Sequence, residues 1–243
     1  MKKTIFLFLV LGFSVASANA QSENSLSDSA IFFSGQKLSA QKTEDLFILG
    51  KVWGFLKYFH PQITAGKFDW DKELVNFLPG YLKVRSATER SDSLTAMMER
   101  LGEIPVKKAG NYDTIKNAKL RPDFSWINTK NFSPVLIKKL KYILDNRAQG
   151  DQYYIKFHRE EGLNIPEFVH EKMYPSLQCP SADYRLIALF RFWNVIEYWY
   201  PYKYNLDKPW DAVLKEHITI ITQAGTAPAY TLDIEKLVSF IKD

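Results

Sequence analysis

The chain has 243 residues, of which 46% are apolar, 24% charged and 15% aromatic, with a formal charge of +5. That balance suits one or two globular cores and excludes disordered, collagen-like and low-complexity classes. The single cysteine, Cys179, rules out an intramolecular disulfide framework and a multi-cysteine zinc site, and eleven glycines leave little for phosphate-cradling loops.

Residues 1–20 read as a secretory signal peptide. Met1-Lys2-Lys3 is a positive start, Ile5 to Val15 is an apolar run, and Ala18-Asn19-Ala20 places small residues where a signal peptidase cuts, after Ala20. The run is short of the about 20 residues that a membrane span needs, and no cysteine follows it for a lipoprotein anchor. The expectation is an exported protein, periplasmic or secreted, with no stable membrane anchor after cleavage. Losing Lys2 and Lys3 takes the charge from +5 to +3. The remaining excess is local: residues 103–150 carry ten Lys/Arg against four Asp/Glu. An exported protein meets little nucleic acid, so this reads as a solvated basic face and no nucleic-acid partner is expected.

Residues 21–43 are rich in Ser, Gln and Lys and read as a flexible leader. Helical spacing begins near Asp45, where Leu46, Leu49, Val52, Trp53, Leu56 and Phe59 share a face. Pro61 ends that helix, because it lacks an N–H and disfavours helical geometry before it. A loop with Gly66 follows. Asp69 can cap a second helix carrying Leu74, Val75 and Leu78. A third helix is expected near Ser91 to Leu101. Beyond it, Ser133-Pro134 opens another helix. Tyr153, Ile155 and Phe157 alternate with Tyr154 and Lys156 as one short strand, and Asn164-Ile165-Pro166 reads as loop.

An offset of 140 residues aligns two parts of the chain without gaps. Trp53 then meets Trp193, Tyr58 meets Tyr198, Pro61 meets Pro201, and Trp70-Asp71 meets Trp210-Asp211. Leu94, Met97, Met98 and Leu101 fall over Ile234, Leu237, Val238 and Ile241. The expected fold is mainly α, with two related helical units, 44–102 and 184–243. A connecting segment, 103–183, holds a helix and a short strand.

Chemical motifs are sparse. His60, His158, His170 and His217 show no metal-ligand spacing, so no metal is expected. His60 aligns with Tyr200, which points to a packing or loop position. There is no G-x-S-x-G, phosphate loop or dinucleotide fingerprint, and no cofactor is expected. Cys179 would need a histidine base nearby to act as a nucleophile and reads as an incidental thiol. Trp193, Tyr198, Trp199, Tyr200, Tyr202, Tyr204 and Trp210 crowd eighteen positions. They serve either as a corner locked by large side chains or as a surface that stacks on sugars or grips peptides.

The string Leu49-Gly50-Lys51-Val52-Trp53-Gly54-Phe55-Leu56-Lys57-Tyr58-Phe59-His60-Pro61, followed by Phe68-Asp69-Trp70-Asp71, resembles the N-terminal region of secreted bacterial S41 peptidases, the tail-specific or C-terminal-processing protease family. Pro122 to Ile127, Tyr184 to Tyr198 and Tyr202-Lys203-Tyr204 resemble the same region further along. The resemblance spans roughly 44–243. It implies that a PDZ-like domain and an α/β protease domain, with a nucleophilic serine and a general-base lysine, follow this region in the family. No residue here matches those, so no catalytic residue is carried over. The expectation is a truncated or split, noncatalytic region that scaffolds or presents a peptide or protein substrate to a protease domain encoded separately. The alternative is a free-standing envelope module binding peptide or glycan through its aromatic corners. The export reading predicts that mass spectrometry of the native protein finds Gln21 as the first residue; an intact Met1 terminus in a membrane fraction contradicts it.

Overall fold

A computed structural model describes residues 28–33, 37–107, 122–160, 163–174 and 179–241. The expected signal peptide lies outside the described residues, as does much of the expected leader. Among the described residues the fold is mainly helical, with one two-stranded sheet. The first elements are α1 (Asp28–Phe33), α2 (Ala40–Phe59), α3 (Pro61–Thr64), α4 (Trp70–Tyr81) and α5 (Ala87–Arg100). The connecting segment supplies α6 (Pro134–Asp145), β1 (Ile155–Glu160) and β2 (Leu163–Phe168). The chain then runs through α7 (Ala182–Trp199), α8 (Trp210–Gln223) and α9 (Ala227–Val238). No described helix is long and apolar enough to cross a membrane.

Local chemistry sets the helix ends. Ser39, Asp69, Ser86 and Ser133 each accept a backbone N–H at the start of α2, α4, α5 and α6. His60 ends α2 and caps α3, where Pro61 takes the first helical position. A short helix thus stands where a plain loop was expected. α5 starts earlier than expected because Ser86 caps it and Glu89 accepts from the backbone N–H of Arg85 at 2.8 Å.

Two further expectations are corrected. The leader is not featureless: Asp28–Phe33 is helical, Ser29 Oγ donates to Asp183 at 3.2 Å, Phe33 is buried, and α2 begins at Ala40. Asn164-Ile165-Pro166 belongs to β2, which pairs antiparallel with β1 so that Pro166 faces Phe157. A two-stranded sheet has only edge strands, and an edge tolerates a proline that cannot donate.

Helix α2 is buried on all sides from Asp45 to Phe59, so it is the axis of the core and not a half-exposed amphipath. α7 crosses it at two glycines. A Cβ on Gly50 would lie 2.7 Å from the Phe190 ring, and one on Gly54 would lie 1.9 Å from the Asn194 amide. Asn194 Nδ2 donates to the carbonyl of Gly50 at 3.0 Å. Gly50 and Phe190, Gly54 and Asn194, and the edge-on rings of Tyr58 and Tyr198 all sit 140 positions apart. Ion pairs cross in both directions: Lys51 of α2 meets Asp211 of α8 at 2.8 Å, and Arg191 of α7 pairs with Asp71 of α4.

Two reciprocal indole pairs lie 140 positions apart. Trp53 Nε1 donates to the Trp70 carbonyl at 3.3 Å and Trp70 Nε1 to the Trp53 carbonyl at 3.0 Å. Trp193 and Trp210 exchange the same bonds at 2.8 and 3.0 Å. The rings are nearly parallel, at 13° and 4°, with centroids 6.2 and 6.3 Å apart. Replacing either buried Trp53 or Trp193 by alanine is expected to cost about 3–5 kcal/mol in chemical denaturation. Gly54→Ala is expected to cost about 1–3 kcal/mol, because the backbone or Asn194 must move to admit the methyl group.

Candidate functional site

The C-terminus of α7 turns at Pro201 into a short 3-10 turn, Lys203–Asn205. This corner frames a cavity of about 200 Å³ between Pro122, Tyr198, Trp199 and Tyr204. Glu197 and Lys203 also line it and pair at 3.0 Å. Burial pushes the Glu197 carboxyl up, and Lys203 pulls the other way. The Tyr198 ring stacks with Phe124 and meets Phe59 edge-on, while Trp199 packs against Phe157 and Phe168 of the hairpin. The Tyr198 hydroxyl and Trp199 Nε1 are buried without a hydrogen-bond partner. Tyr202 and Tyr204 project outward at 61% and 58% exposure. The corner therefore combines a locked aromatic base, two uncommitted donors and an exposed aromatic rim.

A charged cluster lies where α2, α4 and α7 meet the segment after β2. Lys57 is wholly buried and pairs with Glu171 at 2.5 Å. Its amine sits 4.4 Å from the Tyr154 ring centroid, a cation–π distance. Desolvation lowers the Lys57 pKa, opposed by the Glu171 charge. Arg191 bridges two carboxylates, pairing with Asp71 and with Glu171 at 2.9 Å. Tyr174 donates to Asp71 at 2.7 Å, and Lys172 pairs with Asp69. Asp69, Asp71, Tyr153, His170 and Arg191 line a cavity of about 260 Å³ there. Each charge in this cluster meets an opposite one, so the arrangement ties the segment after β2 to α2, α4 and α7. A catalytic base would instead stand free to accept a proton.

The four histidines lie apart in role. His158 is exposed and pairs with Glu167 at 2.5 Å, and His170 stacks on Tyr153 at 4.3 Å. His217 is buried and edge-on to Phe240. His60 is fully buried, and its Nδ1 accepts from the Gln62 backbone N–H at 3.3 Å. Among the described residues no three His, Cys, Asp or Glu side chains form a metal-binding group. Cys179 is exposed. Much of the basic stretch, residues 108–121, lies outside the described residues. The Lys57–Glu171–Arg191–Asp71 cluster had one available signal, a lysine between Leu56 and Tyr58 in an otherwise apolar stretch. No family model, curated protein or solved structure matches the chain.

Burial lowers the His60 pKa from 6.5 to about 4. Between those values the unfolded chain binds a proton that the folded chain refuses, so stability is full above pH 6.5 and falls as the pH drops toward 4. The loss attributable to His60 is about 3 kcal/mol at most. Urea denaturation at stepped pH should show His60→Phe with a flatter profile across that window.

Proposed function

We propose that the chain is the noncatalytic, N-terminal helical region of an S41-type serine peptidase, working outside the cytoplasm to scaffold a protease domain and help present peptide or protein substrate to it. The observation that carries this reading is what the family-like strings do. Leu49 to Pro61, Trp70-Asp71 and Tyr184 to Tyr198 make the packed frame of the molecule, and the aromatic corner opens at the edge of that frame. On the same reading the two helical units are copies of one ancestral unit. The matched indole pairs and the reciprocal ion pairs Lys51–Asp211 and Arg191–Asp71 support that descent. An extended peptide fits the corner chemically, because Tyr202 and Tyr204 carry exposed rings at its rim.

The test has two arms. The purified chain should not cleave unfolded protein, and a serine-reactive fluorophosphonate should not label it at one stoichiometric site. Adding the chain to an S41 protease domain encoded by the same genome should raise cleavage of an unfolded substrate. Tyr204→Ala should weaken that gain about threefold to tenfold through the lost aromatic contact. Saturable labelling of a single serine, abolished by its change to alanine, would overturn the noncatalytic reading.

The second reading, a free-standing envelope module for peptide or glycan, draws on the unpartnered Tyr198 hydroxyl and Trp199 Nε1 beside the corner cavity. Oligosaccharide or peptide binding that Tyr204→Ala removes, with no effect on proteolysis, would select it.

A further inference from the structure

A larger cavity, about 540 Å³, lies away from the aromatic corner, where the C-terminal end of α5 faces α6 beside His60. Met98, Ile104, Val135 and Ile143 give it apolar wall surface between the charged side chains of α5 and α6, and its volume is in the range of small-molecule pockets. Val135 and Tyr142 border it while 59% and 44% exposed, so apolar surface extends to solvent.

One buried polar group belongs to this cavity. His60 lines it and has no solvent exposure. Nδ1 accepts the Gln62 N–H, which places the ring proton on Nε2. That Nε2 is buried and has no hydrogen-bond partner, and a ligand atom reaches it only when the side chains between it and the cavity shift aside. A buried donor left unsatisfied carries a desolvation penalty, and an acceptor delivered by a ligand would relieve it.

The charges around the cavity favour no ion. Glu99 and Glu103 are balanced by Lys138 and Lys139, and Lys139 already pairs with Glu99 at 3.1 Å. His60 itself is uncharged at neutral pH. We propose that this cavity binds an uncharged, largely apolar small molecule carrying one carbonyl oxygen, of amide, ester or ketone type, which accepts a hydrogen bond from His60 Nε2. The site is independent of the peptidase reading, because it shares no residue with the aromatic corner.

Three probes with one apolar body separate the ligand classes: hexanamide, hexanoate and hexylammonium. They are titrated into the full chain carrying ¹⁵N-labelled histidine, with the His60 resonance identified by its loss in His60→Phe. Hexanamide should shift the His60 Nε2 signal saturably. The two ions should bind at least about tenfold more weakly, because each must shed its hydration while Glu99, Glu103, Lys138 and Lys139 together offer no net charge to replace it. His60→Phe should weaken hexanamide about threefold to tenfold by calorimetry, the equivalent of one neutral hydrogen bond. Val135→Asp, at an exposed position, should abolish binding while leaving the unfolding midpoint nearly unchanged, and it serves as the decisive variant if His60→Phe does not fold. The proposal is overturned by an unmoved His60 signal, by hexanoate or hexylammonium binding as well as hexanamide, or by a folded His60→Phe that binds hexanamide undiminished.

Discussion

The close approach of α7 to α2 at Gly50 and Gly54 is the constraint on which the rest of the structure depends. With no Cβ at either position, the Phe190 ring and the Asn194 amide reach the α2 backbone, and Asn194 bonds to the Gly50 carbonyl. That contact brings α2 within reach of α8, and α7 within reach of α4. Lys51 can then meet Asp211, and Arg191 can meet Asp71. A wider helix separation would strand Lys51 in an apolar interior without Asp211, where an unpaired charge costs several kcal/mol. The glycines and the buried charges thus depend on one another.

The indole pairs solve a different problem. Tryptophan brings a large apolar surface into a core together with one N–H that must find an acceptor. Here each N–H goes to the carbonyl of its partner tryptophan, so the two side chains and two backbone carbonyls satisfy one another. The two pairs tie the middle of α2 to the first residue of α4, and the middle of α7 to the first residue of α8. The loop between those two points is held at both ends, which leaves the aromatic corner at Tyr198 to Tyr204 on a rigid base.

Legibility in the sequence followed the range of the interactions. Local chemistry was readable: Pro61 and Asp69 marked helix boundaries, and the seventeen-residue Trp–Trp spacing occurs twice. The hairpin was missed at its second strand because Pro166 argues against a strand unless that strand is known to lie at an edge. The helix at Asp28–Phe33 was missed because six residues cannot hold a helix alone; its support is Ser29 on Asp183, 154 positions away. The lysine at position 57 in an apolar stretch hinted at a buried charge, but its carboxylate partner lies 114 positions away and spacing could not name it. Nor could spacing along the chain reveal that His60 would line a cavity walled by α5 and α6, since none of those residues share an element with it.

The pairing of small with large across the central crossing also bears on self-association. Where α2 supplies glycine, α7 supplies an aromatic ring or an amide at the corresponding position. Two copies of α2 brought together in the same geometry would face glycine with glycine and leave a void, losing the dispersion contacts that make the interface cohere. Two copies of α7 would drive one phenylalanine into another. Each helix therefore fits the other and not itself, and this mismatch penalises pairing of like helices, α2 on α2 or α7 on α7, between neighbouring molecules.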